Sequence, residues 1–270
     1  MYNTVHLDEN IFYITRPRRR FLLLPDELAP TRRVKSRRFV TRDMMLAAVS
    51  RPRYDSDGAF FDGKLGIWAF TEQAAAVRQS AGRPAGTLET KEVSVTKSTY
   101  REKLVSKALP EILAHWPGCG GVVLQQDNAP THISPSDPEF AAAVERSGIL
   151  VELRCQPPKS PDLNCCDLGV FTAIQARQQE KTARNIDELI AATTEASWEL
   201  PPRVLNAAFL SLHSCMDLFI QANGDNNFKP PHMGKLKLER EGRLPTPVSC
   251  SPKTAAIIAA SPSSNTPHYC

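Results

Sequence analysis

Asp127 closes the apolar stretch "GGVVLQQ" and is followed at once by Asn128, Ala129, Pro130 and His132. A carboxylate at the end of a hydrophobic strand is costly to place unless something pairs with it. Asp162, in "QPPKSPDLN", stands in the same relation to the next apolar stretch, and Asp8 lies within the alternating segment "NTVHLDEN". Between Asp127 and Asp162 lie 34 residues, which the pattern fills with one helix and one strand. A right-handed strand-helix-strand crossover of that length returns the chain to the same sheet edge. Asp127 and Asp162 can then meet at one end of a sheet, joined by Asp8 if its strand is central. Three carboxylates in one cleft repel unless one takes up a proton or a cation is present. Hard divalent cations with oxygen ligands suit them, and two such ions about 4 Å apart serve phosphodiester chemistry. Each acid alone also has a plain reading: Asp162 as a helix cap, Asp127-Asn128 as an Asx-turn, Asp8 as a half-exposed strand residue. One topology accounts for all three together, and that favours a shared site.

The elements that must position them follow from periodicity. In "NTVHLDEN", Val5 and Leu7 share one face and His6 and Asp8 the other. Short apolar runs at "RFLLLP", "MMLAAVS" and "KLGIWAF" read as further strands, separated by turn signals. Residues 71–96 lack a clear period and read as a long loop or protruding insertion. In "STYREKLVSKALPEILAHW" the apolar residues form one helical stripe, with Thr99 and Glu102 as a capping box and Pro110 as a kink. "SDPEFAAAVERSG" has the signals of a helix with Asp137 as N-cap and Gly148 beyond its end. "ILVELRCQPP" reads as a strand. Helices follow near Pro161, near Asn185 and through "PRVLNAAFLSLHSCMDLFIQANG". The order gives an α/β layer fold with a mixed sheet flanked by helices. Residues 1–244 form one domain, and 245–270, rich in Pro, Ser and Thr, read as a disordered tail.

Composition is that of an ordinary folded chain: 270 residues, 41% apolar and 23% charged. No uninterrupted apolar run reaches the length of a membrane span, and "MYNTVHLDEN" lacks the layout of a signal peptide. An intracellular protein with no membrane partner is expected. Seven cysteines, with no C-x-x-C pair, fit neither a disulfide framework nor a zinc knuckle, so reduced and mostly buried thiols are expected. The net charge of +4 hides a dense basic stretch between Arg16 and Arg53. Its clusters, with Arg18, Arg19, Arg20, Arg37 and Arg38, form a phosphate-facing surface, a nuclear import signal or a solvated face.

"VHLDEN", "LQQDNAPTH" and "QPPKSPDLNCCDLGVF" together resemble the three catalytic blocks of mariner-like transposases, of the three-Asp DDE/D superfamily. The 34-residue gap is similar to that family's spacing. The resemblance runs roughly from Val5 to Pro245 and takes in "FDGKLGIW", "RPAGTLETK" and "PHMGKLKLEREGRLP". It implies a ribonuclease-H-like fold, two Mg²⁺ or Mn²⁺ ions, no organic cofactor, and DNA as partner and substrate. The implied reaction is strand cleavage by water, then strand transfer by a 3′-hydroxyl, in the nucleus. By this resemblance Asp8 contacts both metals, and Asp127 and Asp162 hold one each. Asn128 and His132 support them from behind. Asp167 also has a counterpart in the third block, read as a structural acid on the helix or as a substitute for Asp162. Arg83, in the 71–96 insertion, contacts either DNA or a partner subunit in a homodimer.

Glu9 points away from the Asp8 face and reads as a surface or sheet-covering residue, while His6 reads as a satisfied structural histidine. Trp68, Trp116 and Trp198 read as core anchors, and Cys165-Cys166 as buried on a helix. The chain departs from the family in having no paired helix-turn-helix region before Asp8, and in Asn10 where Lys is usual. The leading expectation is a transposase catalytic domain from a truncated or decayed element copy. The alternatives are a non-catalytic nuclear DNA-binding or interaction protein that keeps the fold, and a ribonuclease H or exonuclease of the same fold.

Overall fold

The computed structural model describes residues 2–15, 26–27, 40–79, 82–117, 120–225, 227–229, 233–245 and 247–260. Arg18, Arg19, Arg20, Arg37, Arg38 and the strand expected at "RFLLLP" lie outside the described residues. Five strands make the main sheet: β1 (Thr4–Tyr13), β2 (Arg42–Ser50), β5 (Lys64–Ala69), β8 (Val122–Gln126) and β9 (Val151–Cys155). Their order is β5-β2-β1-β8-β9. β1 is antiparallel to β2 and parallel to β8, which is parallel to β9. The sheet is therefore mixed and β1 is central, as convergence of the acids requires. The fold is ribonuclease-H-like.

Alternation along β1 sorts the core. Val5 and Leu7 enter one apolar cluster with Tyr100, Leu104, Ile112 and Leu124. On the opposite face a second cluster packs Met45, Ala47 and Ile67 against Phe171, Leu189 and Phe209. The first cluster is roofed by α1 (Lys97–Lys103), a π-helical turn (Leu104–Ala108) and α2 (Leu109–His115). Pro110 lacks an N–H, and the preceding turn widens, so that Leu109 N–H reaches Leu104 O five residues back. The expected kink is thus a π-turn. Its capping box is formed by Thr96 and Thr99 instead of Thr99 and Glu102, because Thr96 is the last extended residue. Crossover helix α3 (Pro138–Ser147) has the expected Asp137 cap and left-handed Gly148.

The second cluster is covered by α4 (Phe171–Gln178), α5 (Ile186–Trp198) and α6 (Pro202–Gln221). By length and composition α6 would pass for a membrane span. Here Leu205, Phe209 and Leu212 are fully buried against the sheet side of the domain, where an apolar helix of this length is a core helix. Trp68 and Trp116 are buried, but Trp198 is 41% exposed at the end of α5 and anchors no core.

Two segments read as irregular chain hold short elements of their own. Within 71–96, β6 (Thr71–Ala75) and β7 (Leu88–Glu92) pair in a hairpin, tied to α5 by the Thr90 hydroxyl donating to Asp187 at 2.5 Å. The strand alternation is polar on both faces, which is why periodicity does not reveal it. Within 245–270, after the short helix α7 (Lys235–Arg240), Pro252–Ala260 form helix α8. Its Thr254, almost fully buried, docks on the Asp217 end of α6. Residues 261–270 lie outside the described residues. The remaining pair, β3 (Arg53–Tyr54) and β4 (Phe60–Phe61), makes a short ribbon beside β5.

Candidate functional site

Parallel pairing sets His6 against Gln125, so two residues further on Asp8 and Asp127 come side by side where the strands open. Gln126 at the strand end is fully buried and satisfied, accepting from the Tyr100 hydroxyl at 2.9 Å and donating to Ile133 O at 2.7 Å. Beyond it the chain turns. Asp127 Oδ1 accepts from Ala129 N–H at 2.8 Å, the expected Asx-turn, and Asn128 donates to Gln156 O at 2.5 Å, pinning the ends of β8 and β9 together.

The cleft between these strand ends, about 260 Å³, is lined by Asp8, Asp127, Asn128, Lys159, Asn164 and Asp167 among others. Asp162 is not among its lining residues. Its neighbours Ser160, Pro161 and Asn164 are, and so is Asp167, five residues further on. The cause lies in the segment 160–167. Pro161–Leu163 form one tight turn, and Leu163, buried, offers its carbonyl to Gln125 at 2.9 Å. Asn164, also buried, donates to Leu7 O at 3.0 Å and accepts from Cys166 N–H at 3.0 Å. These bonds tie the segment to β1 beside Asp8 and bring the π-helical turn Cys166–Val170 over the cleft. Gly169, at φ +128°, makes the break that lets this turn lead into α4. Asp162 stays half-buried at the rim, its charge felt by Asp167 and by Cys215 of α6.

The electrostatics match three acids around one opening. Burial, then the charge of Asp167, then that of Glu9, push the Asp8 carboxyl up to about 8; the Glu9 N–H, donated at 2.9 Å, opposes them and Asp127 adds to them. Asp167 is raised by burial and by the charges of Asp127 and Asp162. His6, buried behind the site, is pushed down to about 3 chiefly by burial and stays neutral. It contacts Gln125 at 3.3 Å and meets the ring of Phe209 edge-on, the expected structural role.

Glu9 is the site residue that strand alternation alone misassigns. It faces away from Asp8, as expected, but His132 crosses to it. His132 Nε2 lies 3.1 Å from both Glu9 carboxylate oxygens, and Nδ1 lies 2.8 Å from Asp127 Oδ1 and 3.1 Å from Asp127 O. Tyr100 stacks on the imidazole at 4.3 Å. Burial pulls the His132 pKa down, but hydrogen bonding to Glu9, helped by its charge and by Asp127, outweighs burial and leaves it raised. Glu9 therefore holds the histidine that holds Asp127. Arg83 is ion-paired with Glu89 within the β6–β7 hairpin.

This arrangement defines a class: a ribonuclease-H-like α/β domain with a carboxylate cleft at the carboxyl ends of its parallel strands. Solved structures of the same fold include the Mos1 strand transfer complex, with a TM-score of 0.55 at 15% identity over 84% of this chain and 56% of that one. The mariner Mos1 paired-end complex with Mg gives 0.55 at 15% identity, over 84% of this chain and 57% of that one. The Mos1 paired-end complex with the left transposon end gives 0.52 at 15% identity, over 78% and 52%. This chain spans about half the length of those transposase chains. No family model matches the sequence, and no curated protein matches it.

Among the described residues no three His, Cys, Asp or Glu side chains lie close enough to form a ready-made metal cluster. The donor set nonetheless fits hard divalent cations: mutually repelling carboxylates lining one cleft, two of them half-buried and one of these raised to about 8, are relieved when positive charge enters between them.

Proposed function

We propose that this chain is the catalytic core of a mariner-type DDE/D transposase, cleaving and joining DNA phosphodiesters with Mg²⁺ or Mn²⁺. The observation that supports it is the lining of one cleft by Asp8, Asp127 and Asp167 on a ribonuclease-H-like sheet. In cleavage, water attacks phosphorus and the P–O3′ bond breaks, leaving a 3′-hydroxyl and a 5′-phosphate; in transfer, that hydroxyl attacks the phosphorus of a second phosphodiester, whose own P–O3′ bond breaks to release a new 3′-hydroxyl. Divalent ions, when bound, neutralise the phosphate and activate the attacking oxygen. Asp8, Asp127 and Asp167 would hold them. Glu9 and His132 fix the Asp127 carboxylate, and Asn164 fixes the turn that carries Asp167. Lys159 supplies positive charge at the rim where a phosphate enters.

DNA as partner, a homodimeric assembly and a nuclear site of action belong to the same proposal. The test is nicking of supercoiled DNA with Mn²⁺. The chain nicks, and Asp127→Ala and Asp167→Asn do not. A rival reading, a non-catalytic DNA-binding or interaction protein, draws on the lack of a ready-made cluster among the described residues. It is supported if no form of the chain nicks.

A further inference from the structure

At the end of the sheet remote from the acids a second opening, about 460 Å³, is lined by Tyr2, Arg53, Tyr54, Phe60, Arg203 and Asn206 together with two prolines. Tyr2 precedes β1 and stands six residues before Asp8, so strand rise alone separates the two openings by roughly 20 Å. The β3–β4 ribbon carries Tyr54 opposite Phe60, ring centroids 5.1 Å apart. These rings are 72% and 52% exposed. Two large aromatic faces held together in solvent contribute little to a core, and such a patch marks a binding surface.

The charged side chains that line the opening are both arginines. The Arg53 guanidinium is clamped between the rings of Phe61 and Trp116, 4.8 Å from each, and donates to Ser50 Oγ and Arg51 O. Arg203 stands largely exposed at the start of α6, 3.6 Å from Glu239. No Asp or Glu lines the opening. Aromatic faces beside guanidinium groups, with one amide, match the parts of a nucleotide: a base to stack, a phosphate to attract, a base edge to hydrogen-bond. Within a duplex the base faces are already stacked on one another, so exposed rings favour an open strand.

We propose that this opening binds a single-stranded DNA segment, a base stacking on Tyr54 and Phe60, its phosphate meeting Arg203 and its edge meeting Asn206. That the polyanion is DNA rests on the function proposed above; the stacking and charge do not.

The test is fluorescence anisotropy of the full chain with a labelled oligothymidine of about 12 nucleotides in EDTA, beside a duplex of the same length. The double variant Tyr54→Ala/Phe60→Ala should bind the single strand about tenfold more weakly or worse. Tyr54→Phe should keep wild-type affinity, and Arg203→Gln should lower the salt slope by about one. Should the double variant melt early, Tyr54→Ala alone, at an exposed position, carries the comparison. Affinity of the alanine variants within about twofold of wild type overturns the proposal, as does equally tight, equally ring-dependent binding of duplex. Ring-dependent binding of a proline-rich peptide, with none of the oligonucleotide, also overturns it. Binding is read in chelator, so the two readings fail separately: a chain that binds but never nicks keeps this site and loses the nuclease.

Discussion

Replacing Asp8 by Asn should make the metal-free protein more stable. Asp8 ordinarily titrates near 3.8 and in the fold is pushed to about 8, first by burial and then by Asp167 and Glu9. At neutral pH the unfolded chain has released this proton while the folded chain keeps it, so the unfolded state binds fewer protons and stability falls as pH rises. The loss begins above about pH 4 and is complete once pH passes about 8. At about 1.4 kcal/mol per pH unit, the span from 3.8 to pH 7 amounts to roughly 4 kcal/mol. That figure is a ceiling, because Asp167, itself raised, is coupled to Asp8. Asn is isosteric and its Oδ1 can still accept the Glu9 N–H, so packing is retained. The assay is urea or thermal unfolding in EDTA from pH 5 to 8. The midpoint of Asp8→Asn should exceed wild type by a margin that widens with pH, up to about 8 to 16 °C for a chain of this size. Adding Mn²⁺ should raise wild type and leave the variant unmoved. A variant no more stable than wild type at pH 7 to 8, or a margin that does not change with pH, refutes the electrostatic account of the cleft.

The other expectations concern what holds the acids in place. Asp167→Asn should reduce Mn²⁺-dependent nicking about a hundredfold or more, whereas Asp162→Asn should leave it within about fivefold; the reverse pattern restores Asp162 as the third acid. Asn164→Ala removes two buried hydrogen bonds and leaves Leu7 O and Cys166 N–H unpaired, which should lower stability by about 2–4 kcal/mol in urea unfolding; a loss below about 1 kcal/mol contradicts the anchoring role. Glu9→Gln should bring the His132 titration down, followed by NMR of the imidazole. A raised histidine contributes stability below its unfolded value of 6.5 that is lost as pH rises through its folded value, so the variant should show a shallower loss there.

How far this site is legible in the sequence depends on which kind of order carries each residue. Period-two alternation on β1 separates Val5 and Leu7 from His6 and Asp8, and the strand-helix-strand length brings Asp127 back beside Asp8; both rest on backbone geometry that local residues dictate. The third acid depends instead on how a turn is tied down. Asp162 and Asp167 are five residues apart, about 1.4 helical turns, so on one helix they cannot face the same way. Spacing from Asp127 favours Asp162. Asn164, whose two hydrogen bonds reach β1 and its own turn, fixes the turn that brings Asp167 to the cleft, and no periodicity announces a buried asparagine's partners. Glu9 is hidden for the same reason: alternation correctly turns it from Asp8, but says nothing of a histidine 123 positions away crossing to meet it. Cleft carboxylates can be read from composition and register, whereas the side chains that aim them are set by long-range hydrogen bonds. Substitutions at Asn164 and Glu9 therefore probe the site more sharply than further changes to the acids, since they leave every carboxylate lining the cleft in the sequence and alter only its placement.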